Sequence, residues 1–414
     1  MWVYVQEVLV PYQKADAAAH GRPRGNLSDL YPRWLGAREL LLHHRDPYSP
    51  EVTQEIQAGY YGRALDPDRA DDPKDQQGFA YPVYVVFLLA PTIGLPFPVV
   101  QTGFRWLLVL LTLLSVPMWL RAVRWRPSAR VLAILIILTF GSFAVVQGIK
   151  LQQLTLLVGA LLAACGAALA AGNFALAGFL LALATIKPQL ALPLAAWLVL
   201  WAISNWRHRG RLVFLLSLVG TLGVLFAASE YVLPGWLGRF RDAVAAYRQY
   251  TGGAGSLLDV LAGATLGKLL TAIAVIAVAG LGWRLRRAAH DSAAFSAMLA
   301  LVLAVTLVIV PSFAPYNQIL LLPAVCLIAS SWKSLWKRNR LTRAACEVSL
   351  LIVFWPWLTS CVIVAAWVLS VVGLLPAGSA QRAWAMPLYT SLGIPLVVLG
   401  LLTLCETDRL KKLV

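Results

Sequence analysis

Carboxylates are scarce in this chain and unevenly spread. Of its 414 residues 19 are Asp or Glu, and 12 of those fall within residues 1–80. The remainder of the chain holds only seven. Charged residues make up 13% in total against a hydrophobic fraction of 59%, and the mean hydropathy is +0.72. That balance excludes a soluble globular protein. The five cysteines (Cys165, Cys326, Cys346, Cys361, Cys405) lie in or beside apolar runs without metal-ligand spacing, and read as small buried hydrophobes. No HExxH or GxSxG motif occurs. GATLGKL (263–269) has the wrong glycine spacing for a phosphate loop, and no Ser or Thr follows Lys268. Alternating ten-residue segments of the kind that build membrane barrels are also missing.

What is present is a succession of apolar runs near the ~20 residues that a helix needs to span a bilayer. The fold class is an all-α polytopic membrane protein, with about 9–11 membrane segments expected. A net charge of +16 suggests nucleic acid, but the distribution argues against it. The basic residues form clusters between apolar runs: Arg121–Arg130, Arg207–Arg211, Arg284–Arg287, Lys333–Arg343 and Arg409–Lys412, eighteen positive charges together. The alternate connections, 147–152, 231–256, 311–317 and 371–383, carry only five: Lys150, Arg239, Arg241, Arg248 and Arg382. By the positive-inside rule the clusters and the C-terminus face the cytoplasm of an inner (plasma) membrane, with lipid headgroups as their partners.

Alternation then sets the spans: 98–121 inward, 128–146 outward, 150–171 inward, 210–230 outward, 257–283 inward, 292–310 outward, 318–331 inward, 346–370 outward and 384–405 inward. The stretch 173–204 must begin and end on one side. Lys187-Pro188 splits it, so it reads as two short segments that rise and return with Ile186–Gln189 at the bend. Residues 1–97 form an extracytoplasmic N-terminal loop with juxtamembrane helices, and 98–414 the helical bundle. MWVYVQEVLV is too short to cross, and an upstream first membrane helix is expected to be missing from this chain. Leu30, Trp34, Ala37 and Leu41 recur at helical spacing, with Asn26 and Ser28 as caps, predicting an amphipathic helix at the outer face. Tyr81–Leu95 reads as a juxtamembrane helix, and residues 49–78 as a solvated loop.

Four constellations carry chemistry. Asp29 stands at the start of the outer helix, where a carboxylate serves as a general base or as a helix cap. Asp46, before Pro47 and Tyr48, is a binding candidate or a turn residue. Lys187 lies inside an apolar hairpin beside Gln189. It holds a phosphate there or snorkels to a headgroup. Lys150, Gln152 and Gln153 form a polar outer connection near it in topology. Tyr316 and Asn317, in FAPYNQ (313–318), open a later span and suit a sugar or phosphate. His43-His44 has no partners at metal spacing.

Taken together, SDLYPRWLGARELLLHHRDPY (28–48), FAYPVYVVFLLAP (79–91) and LQQLTLLVGALLAACGAALAAGNFALAGFLLALATIKPQLAL (151–192) resemble glycosyltransferase family 87. The third block is the most specific: a glutamine-led span followed by a small-residue AG and IKPQ. The resemblance implies a GT-C-like helical bundle and an inverting, metal-independent transfer without cofactor on the extracytoplasmic side. The donor would be a polyprenyl-phosphate-linked sugar, mannose above all. The acceptor would be a hydroxyl of a cell-envelope glycolipid or glycan. Asp29 matches the family's catalytic aspartate. The chain departs from the pattern in lacking a first membrane helix, in the QGIKLQQ setting of its early glutamine, and in having no histidine at 313–318. A lipid-linked sugar flippase is the non-enzyme alternative; it predicts a repeated half, and none is seen. A ligase-type transferase would place its large outer loop late, whereas here it comes first.

Overall fold

The computed structural model describes residues 1–22, 28–66, 68–73, 75–250, 255–311, 314–376 and 378–411, without the side chains of 248–250 and 406–411. Asn26, Phe313 and Lys412, and the side chains of Arg248, Arg409 and Lys411, therefore lie outside the described residues.

Every regular element described is helical. The chain opens with α1 (Trp2–Tyr4), a π turn (Val5–Leu9) and α2 (Val10–Ala19), one continuous run. The outer layer follows: α3 (Tyr31–His43), α4 (Pro50–Tyr61) and the short α5 (Val85–Leu89). The bundle comprises α6 (Phe97–Ala122), α7 (Ala129–Gly141), α8 (Phe143–Lys150), α9 (Leu154–Ala170), α10 (Phe174–Ala184), α11 (Pro188–Ile203) and α12 (Arg209–Val232). An amphipathic α13 (Trp236–Tyr250) leads to α14 (Leu257–Ala262), α15 (Ala264–Arg284) and α16 (Ala293–Ile309). A 3-10 turn (Pro315–Leu321) precedes α17 (Leu322–Arg338), α18 (Arg340–Val371), α19 (Met386–Ser391) and α20 (Ile394–Lys411).

Among the described residues six helical stretches are long and apolar enough to cross a membrane, or seven when the α7–α8 pair, bent by 53°, is taken as one span. Helices α9, α10, α11 and α16 are apolar but shorter. The outer helices of the bundle turn large apolar side chains outward, as Leu266, Leu269, Ile273 and Ile276 of α15 do. In a bilayer such surface costs nothing, while every backbone group is satisfied within its helix. Helix α16 is the opposite case: nearly all of it is buried, at the axis of the bundle.

The proline break expected in 173–204 is present. Helix α10 ends at Ala184 and α11 begins at Pro188. A residue before proline is pushed out of the helical region, and Lys187 sits at φ −123°, ψ 78°. The far ends of the pair meet, Phe174 stacking on Trp201 with ring centroids 6.3 Å apart. The two helices thus rise and return, and Lys187 stands at the apex.

Two local expectations need correction. Residues 50–61 are helix α4, not loop; Ser49 caps it by accepting from the Val52 N–H at 3.3 Å. Ser28 caps nothing: Leu30 holds the N-cap position of α3, and the Ser28 hydroxyl is buried without a partner among the described residues. The N-terminal run packs on the bundle. Tyr4, Val8 and Val10 form an apolar cluster with Phe143, Val146 and Ile363.

The two ends of the bundle differ in charge. Arg124 donates to the Ala170 carbonyl at 3.1 Å. Arg211 is buried and donates to the carbonyls of Trp201, Arg286, Arg287 and Ala288. These contacts gather three basic clusters around the ends of α6, α9, α11 and α15. The start of α6 lies at the other end, with Phe97 packed on Tyr31 and Trp34 of α3.

Candidate active site

The site is built where the outer layer meets the start of α9. The Asp29 N–H donates to the Leu151 carbonyl at 2.8 Å, pinning the loop before α3 to the turn between α8 and α9. That turn depends on Gln152, which adopts a left-handed φ of 50° although it is not glycine. Such a conformation costs on the order of 1–3 kcal/mol and persists only where its surroundings enforce it. Here they do: Gln152 is fully buried and donates to the Ile149 and Lys150 carbonyls at 2.7 and 2.8 Å. Its amide oxygen accepts from Gln101 of α6 at 3.2 Å. The next side chain, Gln153, points the other way.

The Gln153 amide donates to the Asp29 carboxylate, and its oxygen accepts from the Lys187 ammonium at 3.2 Å. Lys187 also donates to the Thr155 hydroxyl at 2.5 Å, and Thr155 donates to Asn317 at 3.0 Å. The Tyr316 ring lies 5.1 Å from the Lys187 ammonium. Asp29, Gln153, Lys187, Tyr316 and Asn317, drawn from four separate parts of the sequence, are thus one connected group. Asp29 does not cap α3; its carboxylate faces Gln153 and the Tyr60 hydroxyl, the latter at 3.4 Å.

The remaining candidates fall elsewhere. Gln152 braces the turn from behind. Gln189 is exposed on α11. Asp46 makes the turn, accepting from the Tyr48 N–H at 2.9 Å, and pairs with Arg239 of α13 at 2.8 Å. Lys150 stands outside the chain of hydrogen bonds and within electrostatic reach of Arg105 and Lys14.

Several members of the group escaped sequence reasoning. Arg33, one turn after Asp29 on α3, donates to the Asp29 carbonyl at 2.9 Å and lies over the Tyr81 ring at 4.5 Å. Its Nε is buried without a partner among the described residues. The four-residue spacing from Asp29 was a usable signal. Thr155, two residues after Gln153, also had one; Tyr60, Asp75 and Tyr247 had none, because only packing brings them in. Burial raises the Asp29 carboxyl above the usual carboxylate range; Arg33 opposes that rise and Asp75 adds to it. Among the described residues no three His, Cys, Asp or Glu side chains gather at metal-binding distance.

The group therefore offers a buried carboxylate within reach of two cations, lined by tyrosines. The sequence profile of glycosyltransferase family 87 matches residues 79–311. The chain belongs to glycosyltransferase family 87. It is accordingly a membrane glycosyltransferase, which takes a sugar donor and an acceptor. The matched stretch holds Gln153 and Lys187 of this glycosyltransferase, while Asp29 precedes it and Tyr316 and Asn317 follow it. No curated protein and no solved structure matches the chain.

Proposed function

We propose that this glycosyltransferase moves a mannose unit from a polyprenyl-phosphate carrier to a hydroxyl of a cell-envelope glycolipid or glycan, with inversion and without a metal. The observation that supports it most is the Gln153 amide, which joins the Asp29 carboxylate to the Lys187 ammonium. An inverting transfer needs a base on one face of the sugar and a stabilised leaving group on the other.

In this scheme the acceptor oxygen attacks the anomeric carbon as its proton passes to Asp29. The bond from that carbon to the phosphate oxygen breaks, and the electron pair leaves with the phosphate. Lys187 and Arg33 hold the phosphate charge. Gln153 keeps base and cation at fixed separation. Asp75 and the tyrosines are placed to bind acceptor hydroxyls. The reaction belongs on the extracytoplasmic side, with the basic loops and the C-terminus in the cytoplasm, from the eighteen-to-five division of charge.

The test is purified protein with polyprenyl-phosphate-mannose, following loss of sugar from the lipid. Transfer by the wild type that falls at least about a hundredfold in a folded Asp29→Asn variant is expected. Near-normal turnover by that variant would overturn the assignment of the base.

A further inference from the structure

A second charged group lies on the membrane-facing side of the same end. The N-terminal run and the α7–α8 pair ascend side by side. Trp2 Nε1 donates to the Phe140 carbonyl at 3.0 Å, and the Tyr4 and Phe143 rings are 6.5 Å apart. Val8 and Val10 share an apolar cluster with Val146. One helical turn beyond Val10 and Val146 stand Lys14 and Lys150. From the third side, Gln101 of α6 reaches Gln152, and one turn along α6 is Arg105. Lys150 is within electrostatic reach of both other cations.

None of the three head groups has an ion pair or hydrogen bond among the described residues. The acid nearest in sequence to Lys14, Asp16, accompanies His20 at 3.8 Å. Arg105 is exposed on α6, whose exposed positions nearby are the apolar Trp106, Leu107 and Leu110. The Gln147 amide oxygen, one turn before Lys150, is buried and unpartnered. A charge within an apolar membrane face is costly, and three of one sign without an anion repel one another. A phosphate relieves both, since it takes several charge-assisted hydrogen bonds at once.

We infer that Lys14, Arg105 and Lys150 form a binding site for the phosphate of a membrane lipid, with Gln147 accepting from a headgroup hydroxyl. Its source is either an isoprenoid phosphate or an anionic phospholipid. Lys150 directly precedes Leu151, the residue whose carbonyl takes the Asp29 N–H. A lipid held there is delivered beside the catalytic loop. The site stands independently of the proposed transfer chemistry, because no residue of the Asp29–Gln153–Lys187 group belongs to it.

The experiment is lipid binding by delipidated, detergent-purified full-length protein, read by native mass spectrometry. The probes are undecaprenyl monophosphate, phosphatidylglycerol and phosphatidylcholine. The variants are Arg105→Gln, Lys150→Gln and the triple Lys14→Gln/Arg105→Gln/Lys150→Gln. Each cation near a membrane surface contributes about fivefold, so the triple variant should bind about a hundredfold more weakly. The single variants keep the test informative if the triple does not fold. Preference for undecaprenyl monophosphate identifies the isoprenoid source, and preference for phosphatidylglycerol the phospholipid. Equal binding of phosphatidylglycerol and phosphatidylcholine with no retention of undecaprenyl monophosphate overturns the inference. So does variant binding within about twofold of wild type, given the per-cation contribution above. Lys187→Met, which removes a phosphate-holding cation of the proposed catalytic group, should still bind the lipid; a loss there as large as in the triple variant would put the lipid at the catalytic group and overturn the inference.

Discussion

At the scale of single residues, Asp29 is distinguished by what it does not do. Residues before a helix usually spend their carboxylate on backbone N–H groups, whereas this carboxylate is turned toward Gln153 and Tyr60. Replacing Asp29 by Asn removes the proposed base and almost no volume. Turnover should fall by roughly a hundredfold to ten-thousandfold, the usual span for a general base, with folding retained. Asp46→Asn should cost far less, because Asp46 serves a turn and a half-exposed ion pair. Lys187→Met should raise the KM for the donor more than that for the acceptor. An unchanged donor KM with reduced protein yield would make Lys187 structural.

The same carboxyl sets a pH dependence. Burial raises its pKa, so the folded state favours the protonated acid. Its contribution to stability is complete below the unfolded value of about 4 and is lost as pH rises through the folded value. Catalysis runs the other way, since only the ionised form accepts a proton. The acid limb of kcat should therefore lie above the ordinary carboxylate range. Arg33→Gln removes the larger of the two charges that oppose the rise, the other being Lys187, and the limb should move further up. A pH–rate profile of both proteins checks this; an unmoved limb would show that another group controls it.

At the scale of elements, two features hold the site in place. The first is the tight crossing of α10 and α12. A Cβ added at Gly178 would meet the Phe214 carbonyl oxygen and the Leu218 nitrogen, both backbone atoms that no rotamer change can move. Small residues at membrane helix crossings serve this close approach. Gly178→Ala should destabilise the protein by about 1–3 kcal/mol, and because α10 leads to Lys187, donor use should suffer as well. Thermal unfolding in detergent alongside the transfer assay tests both. The second is the loop after α4, closed by the Arg63–Asp72 ion pair. Hydrogen bonds from Arg63 lower the Asp72 carboxyl from 3.8 to about 2. Its stabilising effect is present above the unfolded value and is lost as pH falls through about 2. Asp72→Asn should loosen the loop that carries Asp75, lowering transfer modestly and speeding limited proteolysis between α4 and α5.

At the scale of the whole molecule, the bundle separates chemistry from anchoring charge. Asp29, Gln153 and Lys187 stand at one end, and the clusters around Arg124, Arg211 and Arg286 at the other. If the basic end is cytoplasmic, a cysteine introduced at the exposed Ala70 should react with an impermeant reagent added to intact cells. One at the exposed Ser334 should not. Both belong in a background without the five native cysteines. The reverse pattern would put Asp29 in the cytosol and remove the basis for an extracytoplasmic donor.

Hydropathy alone determined the helical class and most of the spans, because a bilayer admits only segments that satisfy their own backbone. It also placed the break at Lys187-Pro188, since proline's effect is local. The outer layer was less legible. Helix α4 is half polar and flanked by turn-forming residues, and its burial comes from Val52, Ile56, Tyr60 and Tyr61 packing on the rest of the layer. The site depended on tertiary structure. Asp29 and Gln153 are 124 residues apart, and Gln153 and Lys187 a further 34. The sequence sets Lys187 in an apolar hairpin and Lys150 in a polar connection, but does not say which of them reaches Asp29. The left-handed turn at Gln152 separates them, leaving Lys150 on the side of Lys14 and Arg105 and directing Gln153 to Lys187 and Asp29. Such a turn is held by buried hydrogen bonds from distant elements, and no local pattern of residues encodes it.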